Sequence, residues 1–588
     1  MIRMFPALAL LAMLGPIAVG LAGTVLPAFG WLPALGRSSI SLDPWRDLLG
    51  QPGLLRSVGL SFGVGLGASA AAFLAALGFA AACYGTTAFA WIGRLLSPLL
   101  AVPHATVALG LAFLLAPSGW IARLLSPWAT GWDRPPDLAI LHDPWGIALG
   151  FGLLLKEVPF LFVMTLAALD RLDATRLHAA ARSLGCRPMT AWIVVVLPRV
   201  YTRLRLPVLA VIAFSTSVVD MAVLLGPTTP APLAVRVVGW TGDPDLDRRL
   251  LGSAGALLQV AVTAAAIATW LVAERLVARL GRGWLAQGVN GRHENWLRLP
   301  LGALAPLCAA TAGAALLGLA VWSVAGSWRF PDALPATTGL GAWVGAAPIL
   351  GGTLSVTVLT AVVSAGVATV LVVGCLENET RRGLRPPPWI DWVLYVPLLM
   401  PQVAFLFGLQ VLFAATGIDG SWGALIWAHL VVVLPYVFLS LAGSWRRLDR
   451  RWAQTARTLG HGPGRVLLRV TLPLLLRPML TAMAVGVSVS VAQYLPTLFA
   501  GAGRLTTLTT EAVALAGGGD RRVIGAFGLL QMAVPMVAFA AAQFLPSLLF
   551  RRRRGAAAAI DRNGHHREGF SRTGPARHTG PDASPRIP

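Results

Sequence analysis

Lysine is nearly absent from this sequence of 588 residues. Lys156 is the single lysine, and the other basic residues are arginine or histidine. A P-loop requires a Gly-Lys-Ser or Gly-Lys-Thr triplet, whose lysine reaches the phosphates of a bound nucleotide. The absence of that triplet excludes ATP hydrolysis by the Walker route within this chain. Neither a pair of catalytic carboxylates nor a nucleophile elbow is visible, so the sequence does not indicate an enzyme.

Cysteine is also scarce. None of the four cysteines belongs to a CxxC motif, and none has a histidine at the spacing of a metal site. The sequence therefore predicts no disulfide framework, no metal centre and no cofactor. The cysteines are Cys83, Cys186, Cys308 and Cys375.

Charged residues make up only 12% of the chain, whereas 56% of it is hydrophobic and the mean hydropathy is +0.70. One soluble core cannot bury that much apolar surface, so we predict an all-α integral membrane protein with about 12 transmembrane helices. The first apolar run is longer than the roughly 7 to 15 residues of a cleavable signal, which predicts an uncleaved first span. The apolar runs lie at about 1–31, 54–82, 91–116, 146–169, 202–226, 254–273, 299–323, 347–375, 390–415, 422–443, 475–500 and 523–549.

The net charge of +22 would also suit a nucleic-acid-binding protein, but the arginines cluster at the ends of apolar runs. The positive-inside rule explains that placement and requires no nucleic-acid partner. It puts the arginine-rich stretches 171–205 and 446–477 in the cytoplasm, together with both termini. The intervening loops carry mixed charge and are predicted to face the periplasm, across a bacterial inner membrane.

The two halves of the chain are repeats. Six spans in the same order in each half predict parallel repeats about a pseudo-two-fold axis along the membrane normal, with a solute path between them. Matched pairs are Pro103 and Pro401, Gly110 and Gly408, and Pro159 and Pro435. The predicted domains are a first repeat at 1–273, a cytoplasmic linker at 274–298, a second repeat at 299–550 and a disordered basic tail at 551–588.

One short segment occurs in both halves at the same spacing. Residues 174–200 and 449–475 each contain a helical turn with small residues and an arginine, then a glycine, then an amphipathic run that stops at Leu-Pro. Glycine adopts a positive φ without strain, so each segment predicts a helix-turn-helix between the fourth and fifth spans. The defining residues are Ala180, Ala181, Gly185, Leu197 and Pro198 in the first copy, and Thr455, Ala456, Gly460, Leu472 and Pro473 in the second.

This pattern resembles the EAA loop, E-A-A-x3-G-x9-I-x-L-P, of the permease subunits of binding-protein-dependent ABC importers. The resemblance implies that each loop docks on a cytoplasmic ABC ATPase dimer and that a periplasmic solute-binding protein delivers the solute. A single chain that fuses two halves with degenerate loops is most similar to the branch of the family that includes permeases for ferric iron, thiamine, sulfate, phosphonate and polyamines. The leading glutamate of the family pattern is replaced by Ala179 in the first copy and by Gln454 in the second.

Polar residues inside the apolar runs are candidates for the solute path, because a charge at the centre of a span costs about 2.5 to 3.5 kcal/mol on insertion scales. Asp220 and Gln493 occupy matched positions in the fifth spans. The alternative for Asp220 is a hydrated position near the outer end of its span. Lys156 and Glu157 are expected to satisfy local partners, and hydrogen bonds between helices are expected for His104, Gln402, Gln410 and His429.

Two other classes of membrane protein, secondary transporters and membrane-embedded enzymes, fit the sequence less well. A secondary transporter with twelve spans would carry an Asp-Arg-Gly-Arg type of turn between its second and third spans, where this chain has Tyr84 to Arg94 without that pattern. A membrane-embedded enzyme would need acidic or histidine clusters in its outer loops. The run Asp243, Asp245 and Asp247 is the one such cluster, and a hydrated loop explains it.

Overall fold

The computed structural model describes residues 2–286, 294–384, 387 and 389–549. Within these ranges the chain is helical, and its only β contacts are two isolated bridges, Leu32 with Arg37 and Ala325 with Thr338. The predicted all-α class is therefore confirmed. The basic tail at 551–588 lies outside the described residues, as do residues 287–293 of the predicted linker.

The first half contains thirteen helices. A 3₁₀ turn (Ile2–Met4) precedes the first of them, and a π-helical turn (Trp192–Val196) separates α9 from α10. The helices are α1 (Phe5–Ala28), α2 (Asp43–Leu49), α3 (Leu54–Cys83), α4 (Thr87–Leu99), α5 (His104–Leu115), α6 (Trp120–Leu125), α7 (Ile147–Leu169), α8 (Ala174–Ser183), α9 (Pro188–Ala191), α10 (Leu197–Ser217), α11 (Asp220–Leu225), α12 (Leu233–Thr241) and α13 (Arg248–Ala286).

The described part of the second half follows the same order without counterparts of α2 and α6, and two helices stand in the place of α10. A π-helical turn (Leu467–Thr471) lies at the matched place. Its helices are α14 (Asn295–Val324), α15 (Gly341–Arg382), α16 (Trp389–Leu399), α17 (Val403–Ala415), α18 (Trp422–Arg447), α19 (Arg450–Thr458), α20 (Pro463–Val466), α21 (Leu472–Leu474), α22 (Leu476–Val491), α23 (Leu495–Gly501), α24 (Leu508–Ala516) and α25 (Arg521–Leu549).

The number of membrane spans agrees with the predicted count. Among the described residues, nine helical segments are long and apolar enough to cross a bilayer, and two bent helix pairs bring the number to eleven. Helix α10 overlaps the predicted run 202–226 but is less apolar than these candidates, because it carries Arg199, Arg203 and Arg205. The last span of the first half is longer than expected, because α13 continues through the predicted linker as far as Ala286.

The first helix of each half packs against the other half. Helix α1 lies on α17, where Ile17 shares a buried core with Phe405 and Phe407. Helix α14 lies on α5 and α3, where Leu319 and Trp322 join the core of the first half. The halves are therefore interlocked, an exchange that the sequence analysis did not predict.

Small residues permit the close approach of the exchanged helices, as is common between helices in membranes. A β-carbon on Gly23 would lie 2.9 Å from Gly408 Cα, and one on Gly110 would lie 2.7 Å from the Ala315 carbonyl oxygen. Gly110 and Gly408 are a matched pair of the sequence repeat. Their match therefore marks the two places where the exchanged helices cross.

Several spans are interrupted at matched places. The third spans break at 100–103 and 400–402, and the second of these bends by 84°. The fifth spans break at 218–219 and 492–494. Because irregular backbone inside a membrane is tolerated only where it is buried in protein or lines a cavity, these four breaks are candidate sites for contact with a solute.

Candidate coupling loops and central polar cluster

The first coupling loop (174–200) turns at Gly185. Helix α8 ends at Ser183, and Gly185 has φ +88°. Its N–H donates to the Arg182 carbonyl over 3.0 Å, and the Cys186 N–H donates to the Ala181 carbonyl over 3.3 Å. These bonds close the free carbonyl end of α8 before the chain enters α9.

The second coupling loop (449–475) has the same backbone arrangement. Gly460 has φ +82° and donates its N–H to the Arg457 carbonyl over 2.9 Å. The His461 N–H donates to the Ala456 carbonyl over 3.2 Å. Both glycines thus occupy the left-handed region that β-branched residues avoid. The requirement for a positive φ explains why glycine stands at both positions.

The small residues before each glycine divide into a buried and an exposed position. Ala181 and its match Ala456 are buried against the loop's own helices, whereas Ala180 and its match Thr455 are exposed. The buried alanines let the two helices of each loop pack closely. The exposed positions belong to a surface that another molecule can reach.

The prediction that the amphipathic run stops at each Leu-Pro pair is wrong. Leu197 and Pro198 are the first two residues of α10, and Leu472 and Pro473 are the first two residues of α21. A π-helical turn precedes each pair, so the chain stays helical through it. Proline is tolerated at the start of a helix because its missing N–H has no intrahelical partner there.

A pair of exposed leucines stands at the tips of the loops. Leu184 is 85% exposed and Leu459 is 72% exposed, each directly before the turning glycine. The sequence alone does not single them out, because leucine is common throughout an apolar chain. Their repetition at the same offset as the glycines was the available signal. Because the two leucines occupy matched positions beside the turning glycines, they are candidate contacts for a docking partner.

Both loops lie on one end of the bundle, which we call the arginine-rich face. A β-carbon on Gly443, near the end of α18, would lie 2.9 Å from Arg171 Nη2, just before the first loop. Many arginines on this face are exposed, so their charge meets solvent. The exposed arginines in and beside the loops are Arg171, Arg176, Arg182, Arg199, Arg203, Arg446, Arg447, Arg450, Arg451, Arg457, Arg465, Arg469 and Arg477.

A group of polar side chains, the central polar cluster, gathers at the helix breaks. Its members are His104, Glu157, Asp220, Gln402, Gln493 and Tyr494. His104 and Gln402 directly follow the matched prolines of the third spans, and Asp220 and Gln493 lie at the breaks of the fifth spans. Sequence analysis selected Asp220 and Gln493 but did not foresee that each would meet a matched third-span residue.

The contacts within the central polar cluster differ between the halves. In the second half, the Gln402 side-chain N–H donates to Gln493 Oε1 over 3.1 Å. In the first half, His104 Nε2 lies 3.7 Å from Glu157 Oε1 and within electrostatic range of Asp220. Tyr494 of the second half lies within electrostatic range of Asp220, so the cluster contains groups from both halves.

Asp220 is buried rather than hydrated, because only 7% of it is exposed. The alternative of a solvated position at the outer end of the span is therefore wrong. A buried carboxylate in a membrane bundle requires polar neighbours. The first half supplies ionisable neighbours for it, whereas the second half has amides at the corresponding positions.

Lys156 has local partners, as predicted. Its ammonium group donates to the carbonyl oxygens of Leu99 and Leu100, each over 3.1 Å, and to that of Val102. These carbonyls belong to the break between α4 and α5. Lys156 therefore stabilises the break directly before His104, while its neighbour Glu157 faces the central polar cluster.

His429 makes the predicted hydrogen bonds between helices. Its Nδ1 lies 2.8 Å from Ser490 Oγ, and its Nε2 lies 3.0 Å from Thr497 Oγ1. These partners lie on either side of the break that carries Gln493. His429 thus fixes that break, whereas the matched position in the first half is Gly152, against which Leu225 packs.

The chain is similar to known permease proteins. The sequence profile of the family "Binding-protein-dependent transport system inner membrane component" matches residues 366–552, which include the second coupling loop. The inner membrane ABC transporter permease protein YnjC of Escherichia coli is 31% identical over 506 residues, which cover 85% of this chain and 90% of that protein.

Shorter similarities involve single permease units. The molybdenum transport system permease protein ModB of Mycobacterium tuberculosis is 32% identical over 157 residues, 24% of this chain and 57% of ModB. The spermidine/putrescine transport system permease protein PotC of Escherichia coli is 28% identical over 94 residues, 16% of this chain and 36% of PotC. The chain therefore belongs to the permease family of binding-protein-dependent ABC importers, as a fused form with two permease units in one polypeptide.

Proposed function

We propose that this chain forms the complete translocation path of an ABC importer for a small solute. A periplasmic binding protein delivers the solute, and a separate cytoplasmic ATPase dimer drives its passage, with one ATPase subunit on each coupling loop. The observation that carries this proposal is the matched geometry of the two loops. Each has a glycine with positive φ, a buried alanine behind it and an exposed leucine at its tip.

Each loop has a helical connection to the central polar cluster, and this supports a role in force transfer. The first loop continues through its π-helical turn into α10, which ends three residues before Asp220. The second loop continues through α21 and α22 to the break that carries Gln493, with a 76° bend near Leu475. A displacement of either loop therefore acts on the break that carries a polar residue.

The proposed solute path lies between the halves, along Asp220 and Gln493. These residues present a carboxylate and an amide at breaks in the fifth spans, where hydrogen-bonding groups can replace part of the hydration of a solute. The relatives named for a solute are named for molybdenum, 2-aminoethylphosphonate or spermidine/putrescine, which differ in chemistry. The proposal therefore extends to a small polar solute and no further.

The sidedness follows from charge. The arginine-rich face belongs in the cytoplasm according to the positive-inside rule, and this places both coupling loops where an ATPase is available. The opposite end of the bundle then receives the binding protein. We assign the chain to the bacterial inner membrane with both termini in the cytoplasm.

The experiment compares glycine variants of the coupling loops. The tagged chain is purified from its native host, and phosphate release from Mg-ATP by the co-purified ATPase is measured. Gly185→Val and Gly460→Val should each remove most of this activity, because valine strongly disfavours a positive φ. Gly185→Asn and Gly460→Asn are matched controls, since asparagine tolerates that conformation and nothing lies within 4 Å of a β-carbon at either site.

Loss of co-purified hydrolysis in the valine variants but not in the asparagine variants supports the proposal. Full hydrolysis in both valine variants, with each chain present in the membrane at its usual amount, would show that these loops do not hold an ATPase. A chain that imports solute without any co-purifying nucleotide hydrolysis would contradict the proposal as a whole.

A further inference from the structure

A carboxylate from the segment between the two halves is buried inside the first coupling loop. Glu294 directly precedes α14 and is only 7% exposed. Its Oε2 accepts a hydrogen bond from the Thr190 N–H over 2.8 Å and another from the Thr190 hydroxyl over 2.9 Å. Its Oε1 accepts from the Met189 N–H over 3.4 Å. One side chain therefore holds two successive residues of α9.

These bonds satisfy donors that the loop itself leaves free. The first N–H groups of a helix have no intrahelical acceptor, and Pro188, the first residue of α9, has no N–H to donate. Arg187, which precedes α9, makes no side-chain cap bond. The amides of Met189 and Thr190 are buried, so leaving them unpaired would be costly. Glu294 supplies the acceptor from a position more than one hundred residues away.

The helix that carries Glu294 is itself fixed to the first half. Arg298, one turn further along α14, donates through Nε to the Ala82 carbonyl over 3.0 Å at the end of α3. Leu301 packs over Gly78, where a β-carbon would lie 2.8 Å from Leu301 Cδ2. The start of the exchanged helix thus joins α3 to the first coupling loop.

A second contact braces α9 from within the loop. His178 Nε2 donates to the Pro188 carbonyl over 2.9 Å, and the His178 ring lies 5.3 Å from that of Tyr84 in an edge-to-face arrangement. Glu294 and His178 therefore hold the same short helix at adjacent residues. The first coupling loop is tied to the bundle on two sides.

The second coupling loop has a different support. Pro463, Gly464 and Arg465 match Pro188, Met189 and Thr190, and all three are exposed. Among the described residues, no carboxylate accepts from the amides of Gly464 or Arg465. The loop is held instead by Arg381, whose Nη2 donates to the Pro463 carbonyl over 3.1 Å.

We propose that Glu294 is a positioning residue of the coupling machinery, which makes the start of α14 a strut for the first coupling loop. This inference rests on the proposed function of that loop. The leading carboxylate of the family pattern is missing in both loops, at Ala179 and Gln454. The first loop receives a carboxylate from the start of α14, and the second does not. The two ATPase contacts are consequently unequal.

The first test measures position without the ATPase. Hydrogen–deuterium exchange is followed by mass spectrometry on the purified chain for Glu294→Ala, Glu294→Gln and the unmodified protein. Peptides that cover 187–193 should exchange about tenfold faster in Glu294→Ala, the size expected from losing a hydrogen bond to a charged acceptor. Glu294→Gln should give an intermediate rate, because its one carbonyl oxygen can still accept. Peptides that cover 462–467 should not change.

A matched carboxylate controls for general loosening of the arginine-rich face. Glu274 lies near the cytoplasmic end of α13 and pairs with Arg205 over 3.2 Å, without touching either loop. Glu274→Ala should leave exchange at 187–193 unchanged. A milder variant, Thr190→Val, removes only the hydroxyl bond and should accelerate the same peptides by a smaller factor. Thr190→Val replaces Glu294→Ala in this test if the Glu294→Ala protein does not reach the membrane.

The second test asks which loop Glu294 serves. Phosphate release by the co-purified ATPase is measured for Glu294→Ala alone and combined with Gly185→Val or Gly460→Val. Mutations that act through one loop should not add, whereas mutations in different loops should. Glu294→Ala should therefore lower hydrolysis further in the Gly460→Val background and hardly at all in the Gly185→Val background.

Each result has a distinct meaning. Unchanged exchange at 187–193 in Glu294→Ala overturns the inference and leaves the proposed function intact. Equal acceleration at 187–193 and 462–467 also overturns it, because the residue would then stabilise the whole face. Selective acceleration together with full hydrolysis in both glycine-to-valine variants would contradict the proposed function, while the anchoring by Glu294 would stand.

Discussion

The Gln402 side-chain amide donates to Gln493 Oε1 over 3.1 Å, and this bond joins the breaks of two different membrane spans. At the matched places in the first half stand His104 and Asp220, which interact electrostatically. The repeat therefore preserves the position of the polar residues but not their chemistry. On the proposed path, a solute would meet ionisable groups on one side and neutral amides on the other.

The first prediction concerns access to this region. In a variant without native cysteines, Gln493→Cys should react with a small water-soluble thiol reagent during ATP turnover by the co-purified ATPase and much more slowly without nucleotide. The reason is that the fifth-span break opens to the path only when the loops move. Alkylation is measured by mass spectrometry.

Ala526→Cys is the control for that experiment, because Ala526 of α25 is fully buried in an apolar core and does not lie at a break. It should remain unreactive in both conditions. Equal reactivity at positions 493 and 526, or no reaction at 493 in any condition, would remove Gln493 from the proposed path.

The second prediction tests the exchange of the first helices. Gly23→Val should destabilise the protein by about 2 kcal/mol, the usual size of overpacking, because its β-carbon would meet Gly408 at 2.9 Å. Gly313→Val on α14 is the matched control, since nothing lies within 4 Å of a β-carbon there. Thermal unfolding in detergent distinguishes them. Equal losses of stability would mean that α1 does not lie against α17 as described.

The third prediction concerns Lys156. Replacement by methionine should cost about 2 to 3 kcal/mol of stability, because carbonyls at the break before α5 lose a charged donor. Glu157→Gln keeps those bonds and should cost less. Chemical unfolding of the two variants, each compared with the unmodified chain, gives the difference. A Lys156→Met variant as stable as the parent would show that the break needs no such donor.

Much of this architecture was readable from the sequence. Glycine at 185 and 460 predicted the turns because the left-handed region is a local property of the backbone. The apolar runs predicted the spans, whereas the matched prolines Pro103 and Pro401 predicted the repeat but not the breaks of the third spans, next to which the structure places them. Each of these features is encoded within a few neighbouring residues.

The features that the sequence did not reveal depend on contacts between distant segments. An apolar helix that packs on its own half looks the same as one that packs on the other half, so the exchange of α1 and α14 left no periodic signal. Glu294 reaches Thr190 across more than one hundred residues of chain. A Leu-Pro pair predicts a helix end because proline usually breaks a helix, whereas here a π-helical turn precedes each pair and the chain remains helical.

The most direct measurement of the central claim is cross-linking from the tips of the coupling loops. In the chain without native cysteines, Leu184→Cys and Leu459→Cys are each treated with a bifunctional thiol–amine reagent in inverted membrane vesicles of the native host. The account predicts that both sites form a covalent product with the same ATP-binding polypeptide. A product from neither site, or labelling of either cysteine from outside intact cells by an impermeant thiol reagent, would contradict it.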